Sequence, residues 1–121
     1  MYNALIRTHH ITSRKKVAAL RTAAKKYDVY ALIRYEGAPG VMYVESPTES
    51  QTKAWVDVVH GLRYKDYQLV VHVDKVQGDV MFDEDRLGSL IEVESVKEFA
   101  AEMEKKGLLG WWRKGMGFVT D

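Results

Sequence analysis

The chain has 121 residues, which suits one domain, since single domains most often run about 100 to 150 residues. With 46% hydrophobic and 29% charged residues it has the material for a core and is not a disordered chain, and the absence of cysteine excludes disulfides, Cys-containing zinc sites, iron–sulfur ligation and thiol catalysis. A formal net charge of +1 excludes a uniformly basic nucleic-acid coat, so any such role needs a local patch.

Tyr2 to Ile11 reads as a strand, with Ala4 and Ile6 alternating against Leu5, Arg7 and His9. Thr12 or Ser13 then caps a helix running to about Lys26, whose apolar positions Val17, Leu20, Ala24 and Tyr27 recur at helical spacing. Val29 to Glu36 and Val41 to Glu45 alternate again around the breaker Gly37-Ala38-Pro39-Gly40 and predict a hairpin. Ser46-Pro47-Thr48-Glu49 offers a capping Ser, a Pro at the first helical position and a capping-box Glu, predicting a helix over Pro47 to Leu62 with Trp55, Val58 and Val59 inward. Asp66 to Val73 predicts a fourth strand.

This order over residues 1–74 is βαββαβ, the ferredoxin-like arrangement: an α+β fold with a four-stranded antiparallel sheet and two helices on one face. Residues 75–94 read as a polar, acidic insert with no part in the core. Ser95-Val96-Lys97-Glu98 repeats the capping box and opens a C-terminal helix with Val96, Phe99, Ala100 and Met103 inward, stopped at Gly107; a coda from Leu108 to Phe118 carries Trp111 and Trp112. Residues 95–121 complete the single domain.

Charge is unevenly distributed. Arg7, Arg14, Lys15, Lys16, Arg21, Lys25 and Lys26 precede the first acid, Asp28, whereas residues 79–104 hold nine acids, Asp79 among them, against Arg86 and Lys97. The basic helix face reads in two ways: a surface that tracks phosphates and releases counterions, or a solvated face balanced by the acidic insert. On the open side of the predicted sheet, alternation brings out Arg7, His9, Arg34, Tyr43 and His72, cations and an aromatic where an RNA-binding sheet clamps and stacks bases. Against this, the third strand has one aromatic where the RNA-recognition motif needs several, and Trp111 and Trp112 are expected to pack as core over that face.

Enzyme signatures are incomplete. His10-Ile11-Thr12 matches one half of the paired H-x-T signature of two-histidine phosphoesterases, but His72 is followed by Val73 and Asp74. Val76-Gln77-Gly78 resembles part of the acylphosphatase loop, yet it follows the fourth strand and carries Asp79 and Asp83 nearby. Adjacent His9 and His10 point to opposite sides of a strand and cannot chelate one ion, so no metal and no cofactor is expected, and His10 is expected to be partly buried and satisfied. No apolar run approaches the roughly 20 residues that span a bilayer, and Arg7, His9 and His10 fall where a signal peptide needs an apolar stretch; an intracellular protein, nuclear or cytoplasmic, without membrane attachment is expected.

Arg7-Thr8-His9-His10-Ile11 before a basic helix, then Gly37-Ala38-Pro39-Gly40-Val41-Met42-Tyr43-Val44-Glu45-Ser46, Trp55 and Leu62-Arg63-Tyr64-Lys65, together resemble the carboxy-terminal domain of the spliceosomal pre-mRNA-processing factor three family. The same domain, long classed as of unknown function, follows the RWD domain in a group of eukaryotic proteins. The likeness spans most of the chain, since Phe99 to Trp112 also resembles that domain's closing helix and aromatic pair. The resemblance implies a ferredoxin-like, non-catalytic module that binds small nuclear RNA at a single-stranded end beside a duplex, and it implicates His9, His10, Lys15, Lys16 and the turn at Gly37 and Gly40. The chain is read as a free-standing copy of that domain, without an RWD partner. The expected RNA-binding set is Arg7, His9, His10, Arg14, Lys15, Lys16, Arg21, Arg34, Tyr43 and His72. The alternative is a protein-interaction adaptor using the acidic insert and exposed aromatics.

Overall fold

The computed structural model describes residues 1–78, 80 and 82–118; Asp79 of the acidic run and the end of the coda beyond Phe118 lie outside the described residues. The elements are β1 (Tyr2–Thr8), α1 (Arg14–Tyr27), β2 (Tyr30–Arg34), β3 (Gly40–Ser46), α2 (Glu49–Gly61), β4 (Gln68–Lys75), a 3-10 turn (Glu84–Arg86), β5 (Ser89–Val93), α3 (Val96–Lys105) and α4 (Leu109–Gly115). They form one mixed sheet of order β4-β1-β3-β2-β5. The first four strands pair antiparallel and β5 joins the outer edge of β2 in parallel.

The fifth strand corrects the expectation of a four-stranded antiparallel sheet and of an insert outside the core. Ser89 to Val93 sends Leu90 into the core under the helices and packs Ile91 and Val93 against the opposite layer, so both faces are covered and the period-2 signal is lost. The chain reaches that edge from β4, at the far edge of the sheet, through a crossover whose Val76, Val80 and Leu87 also pack against the second layer.

Helices α1 and α2 share one face, as their periodicity predicts. Ala4, Ile6, Ala31, Ile33, Met42 and Val44 meet Val17, Leu20 and Ala24 of α1 and Trp55, Val56 and Val59 of α2. Trp55 is fully buried and its indole N–H donates to the Leu20 carbonyl at 3.1 Å. Ser13 caps α1, its hydroxyl accepting from the Lys16 amide at 3.2 Å. The α2 cap lies two residues later than the sequence suggests: Thr48 accepts from the Gln51 amide, while Ser46 remains in β3 and its hydroxyl lies 2.6 Å from that of Thr52. Thr48-Glu49-Ser50-Gln51 is itself a capping box, and two overlapping boxes are not separable by pattern alone. Ser95 caps α3 as expected, and Gly107 follows its C-cap at φ +77°.

The other face of the sheet is closed. Leu5, Tyr30, Leu32, Val41 and Tyr43 lie beneath Phe99, Met103, Leu108, Trp112 and Met116, and the Phe99 and Trp112 rings stack with centroids 5.7 Å apart. The coda is therefore mostly helix, and Trp112 is core. Within this layer Glu45 is fully buried; it accepts from the Tyr43 hydroxyl at 2.7 Å and from Lys106 Nζ at 3.0 Å, and Asn3 donates to the Tyr43 hydroxyl at 3.3 Å. Tyr43 and Glu45 share a face because they stand two apart on one strand.

Candidate nucleic-acid interface

Strands β1 and β2 run toward one end of the sheet, and β3 and β4 start from it, so three loops meet there. The His9 amide donates to the Lys65 carbonyl at 2.9 Å, the Gly40 amide to the His9 carbonyl at 3.3 Å, and the Glu36 amide to the Ile11 carbonyl at 2.8 Å. Strand β1 thus stops at Thr8 rather than Ile11, because the chain leaves the sheet to pair with the other two loops. Gly40 permits the approach: a Cβ there would collide with Thr8 Oγ1 and come within 2.8 Å of Ile11 Cγ1.

Two hollows open at this end, one served by each histidine. Arg7, Thr8, His9, Ala38, Pro39, Asp66, Tyr67 and Gln68 line a hollow of about 720 Å³, where His9 Nδ1 lies 3.5 Å from Asp66 Oδ2. His10, Thr12, Ser13, Lys16, Arg63, Tyr64 and Lys65 line a smaller one of about 220 Å³. The two imidazoles are edge-on, with centroids 4.9 Å apart. His10 is exposed, which corrects the expectation of a partly buried histidine: the loop carries it outward while Ile11 takes the core position.

The helix stripe fares differently. Arg14 makes a two-pronged contact with Glu92 of β5, at 2.7 and 3.1 Å, and Arg21 bonds the same carboxylate and the Leu90 carbonyl. The Arg14 hydrogen bond, helped by Arg21, holds the Glu92 carboxyl below its ordinary value against the opposing effect of burial. Two cations of the basic helix face are thus matched by β5, which lies within the expected acidic insert. Lys15 stays exposed, and Lys16 Nζ stands 4.9 Å from the centroid of the Tyr64 ring.

The remaining expected residues scatter. Arg34 donates to the carbonyls of Pro39 at 2.8 Å and Glu94 at 3.2 Å, bracing the hairpin turn. Tyr43 is fully buried with Trp111 edge-on at 5.6 Å, so it presents no face to a base; burial and the neighbouring Glu45 push its hydroxyl pKa well up. The open face predicted for Tyr43 is thus taken by α3 and α4, because the apolar surface of the sheet needed cover. His72 is exposed on β4 beside a separate hollow. Of the ten residues, Arg7, His9, His10 and Lys16 line the two hollows at the loop end.

Arg63 and Lys65 belong to the same end and are outside the expected set, although both fall in Leu62-Arg63-Tyr64-Lys65, a segment that carries part of the resemblance. Neither forms an ion pair among the described residues. Arg63 takes φ +57° just past the α2 C-cap, a position where glycine is usual, and Asp66 takes φ +55°. Tyr64 between them is buried, its hydroxyl has no hydrogen-bond partner among the described residues, and desolvation pushes its pKa up to about 12.

The geometry offers cations and ring faces around concave surface. Val76-Gln77-Gly78 lies past the other end of β4, where the Val76 amide donates to the Met1 carbonyl, remote from these cations. Among the described residues no cluster of His, Asp and Glu is arranged to hold a metal ion, and no helix is long and apolar enough to cross a membrane. In comparison with known proteins, the chain matches no protein-family model and no curated protein.

Proposed function

We propose that the protein is a non-catalytic RNA-binding module that takes a strand across the loop end of its sheet. The observation that carries the reading is the convergence of Arg7, His9, His10, Lys16, Arg63 and Lys65 on two adjoining hollows, the smaller of which has no lining carboxylate. Cations so placed contact phosphates without reading bases, and the larger hollow adds Tyr67 and His9 as ring surfaces for an unpaired base. The resemblance seen in the sequence implies the same class of partner. A base held on the sheet face, by contrast, finds Tyr43 covered.

Fluorescence anisotropy with a short single-stranded RNA across a salt series tests this. If about three to five phosphates are neutralised, log affinity should fall against log salt with a slope of about −2 to −4. Replacing Lys16 and Lys65 together by Glu should weaken all sequences alike and flatten the slope, while replacing Lys97 and Lys105 on exposed α3 should do neither. Absence of binding at about 50 mM salt, where nonspecific attraction is strong, would favour the protein-adaptor reading. That alternative has lost most of its exposed aromatics: among the described residues Phe118 is the one large hydrophobic side chain that is exposed.

A further inference from the structure

We propose that the smaller hollow is a pocket for a terminal phosphate, so that the module prefers an RNA end bearing a phosphomonoester to one ending in a hydroxyl; this rests on the RNA-binding reading and names its ligand group. Four side chains from separate segments meet there: His10 from the β1–α1 loop, Lys16 from the first turns of α1, and Arg63 and Lys65 from the α2–β4 loop. At about 220 Å³ the hollow has the volume of roughly seven liquid-water molecules, room for a phosphate group together with part of the sugar that carries it. The nearest acid along the chain, Asp66, lines the other hollow beside His9.

Three further features suit an anion. The hollow reaches Thr12 and Ser13 at the start of the 14-residue helix α1, whose first turn contains no acid to offset its unbonded amides. Tyr64 also lines it, and its ring seats the Lys16 ammonium 4.9 Å from the ring centroid, which keeps that cation at the hollow. Arg63 keeps a long cationic side chain at a backbone position that favours glycine.

Charge separates a terminal from an internal phosphate. A phosphomonoester carries about −1.5 to −2 at neutral pH and offers three acceptor oxygens, whereas a diester carries one charge and must continue on both sides. Lys16, Arg63 and Lys65 alone exceed a single charge, which matches a phosphomonoester better than a diester. The adjoining larger hollow, reached across the His9 and His10 rings, has room for the terminal nucleoside.

The test compares one RNA octamer carrying a 5′-phosphate, a 3′-phosphate or hydroxyls at both ends, together with an amide chemical-shift titration by inorganic phosphate. One phosphorylated end should bind about tenfold more tightly than the hydroxyl form, equivalent to about 1.4 kcal/mol. Lys65→Ala should reduce that ratio to below about twofold, and Lys97→Ala should leave it intact. Inorganic phosphate should shift His10, Thr12 to Lys16 and Arg63 to Lys65. Equal binding of all three octamers would overturn the pocket and leave the RNA reading standing. No RNA binding with phosphate shifts confined to the hollow would overturn the RNA reading alone; shifts spread over Lys25, Lys26 and Lys97 would overturn the pocket whatever the RNA result.

Discussion

The layer under α3 and α4 and the loop end of the sheet both place cations close to tyrosines, and they treat the charge in opposite ways. Beneath α3, Lys106 is sealed against Glu45 at 3.0 Å, with its ammonium 4.0 Å from the Tyr30 ring centroid. In the smaller hollow of the loop end Lys16 stands over Tyr64 with Arg63 and Lys65 beside it, and no carboxylate lines that hollow. A buried charge is retained only with its counter-charge, because desolvation costs several kcal/mol per ion. A cation with no internal counter-charge stays hydrated and available to an external one. The first arrangement fixes where α3 sits; the second is fit for a ligand.

Variants can break that comparison, and the largest effect serves as its reference. Trp55→Ala, in the apolar layer under α1 and α2, should cost about 3 to 5 kcal/mol in denaturant melts, the usual range for truncating a buried large aromatic. Lys106→Met should come next, at about 3 kcal/mol, because it strands the Glu45 carboxylate in a place it shares with two tyrosines. Adding Glu45→Gln should restore much of the loss, with a coupling above about 1 kcal/mol in the double-mutant cycle. RNA affinity of the refolded variants should be unchanged. A coupling near zero would show that the pair does not hold α3 in place.

Between the two extremes lies Glu92, which ties up Arg14 and Arg21. Its pKa is lowered in the folded state, so the stability it contributes is complete above its ordinary value of about 4.5 and is lost as pH falls through the lower folded value. Glu92→Gln should therefore flatten the decline of stability below about pH 4.5, by a small amount because both arginines border solvent. The same variant frees two cations on α1. RNA affinity should rise and the salt slope should steepen by roughly 1; unchanged affinity would confine the interface to the loops.

How far these arrangements were readable in the sequence depended on whether local pattern was enough. Both helices on one face, the hairpin around Gly37 to Gly40 and the burial of Trp55 follow from periodicity, and all are present. Strand β5 escaped because five residues covered on both sides carry no alternation and stand beside a run of acids. The pairing of Arg14 and Arg21 with Glu92 spans more than 70 residues, as the meeting of Lys106 with Glu45 spans 61, and neither leaves a trace in local spacing. The basic block of the amino-terminal quarter contributes Arg7 and Lys16 to the two hollows. It took the fold to separate the cations matched by β5 from those joined by Arg63 and Lys65.

The smallest expected change in stability is the one that most sharply separates structural from ligand-directed charge. Arg63 sits in the left-handed region at φ +57°, where a side chain costs about 1 to 2 kcal/mol that glycine does not incur. Glycine in turn loses about 0.5 to 1 kcal/mol more backbone entropy on folding. The balance favours Arg63→Gly by about 0.5 kcal/mol, visible as a rise in the denaturant midpoint at constant slope. Removing the guanidinium should also weaken RNA binding several-fold, since charge-assisted hydrogen bonds to a phosphate are lost. A side chain that lowers stability where it stands, yet is needed for binding, is what the loop end should contain if its charge faces a ligand. A variant that is both more stable and fully able to bind would place Arg63 outside the interface, and one that is less stable would mean that its side chain is bound within the protein after all.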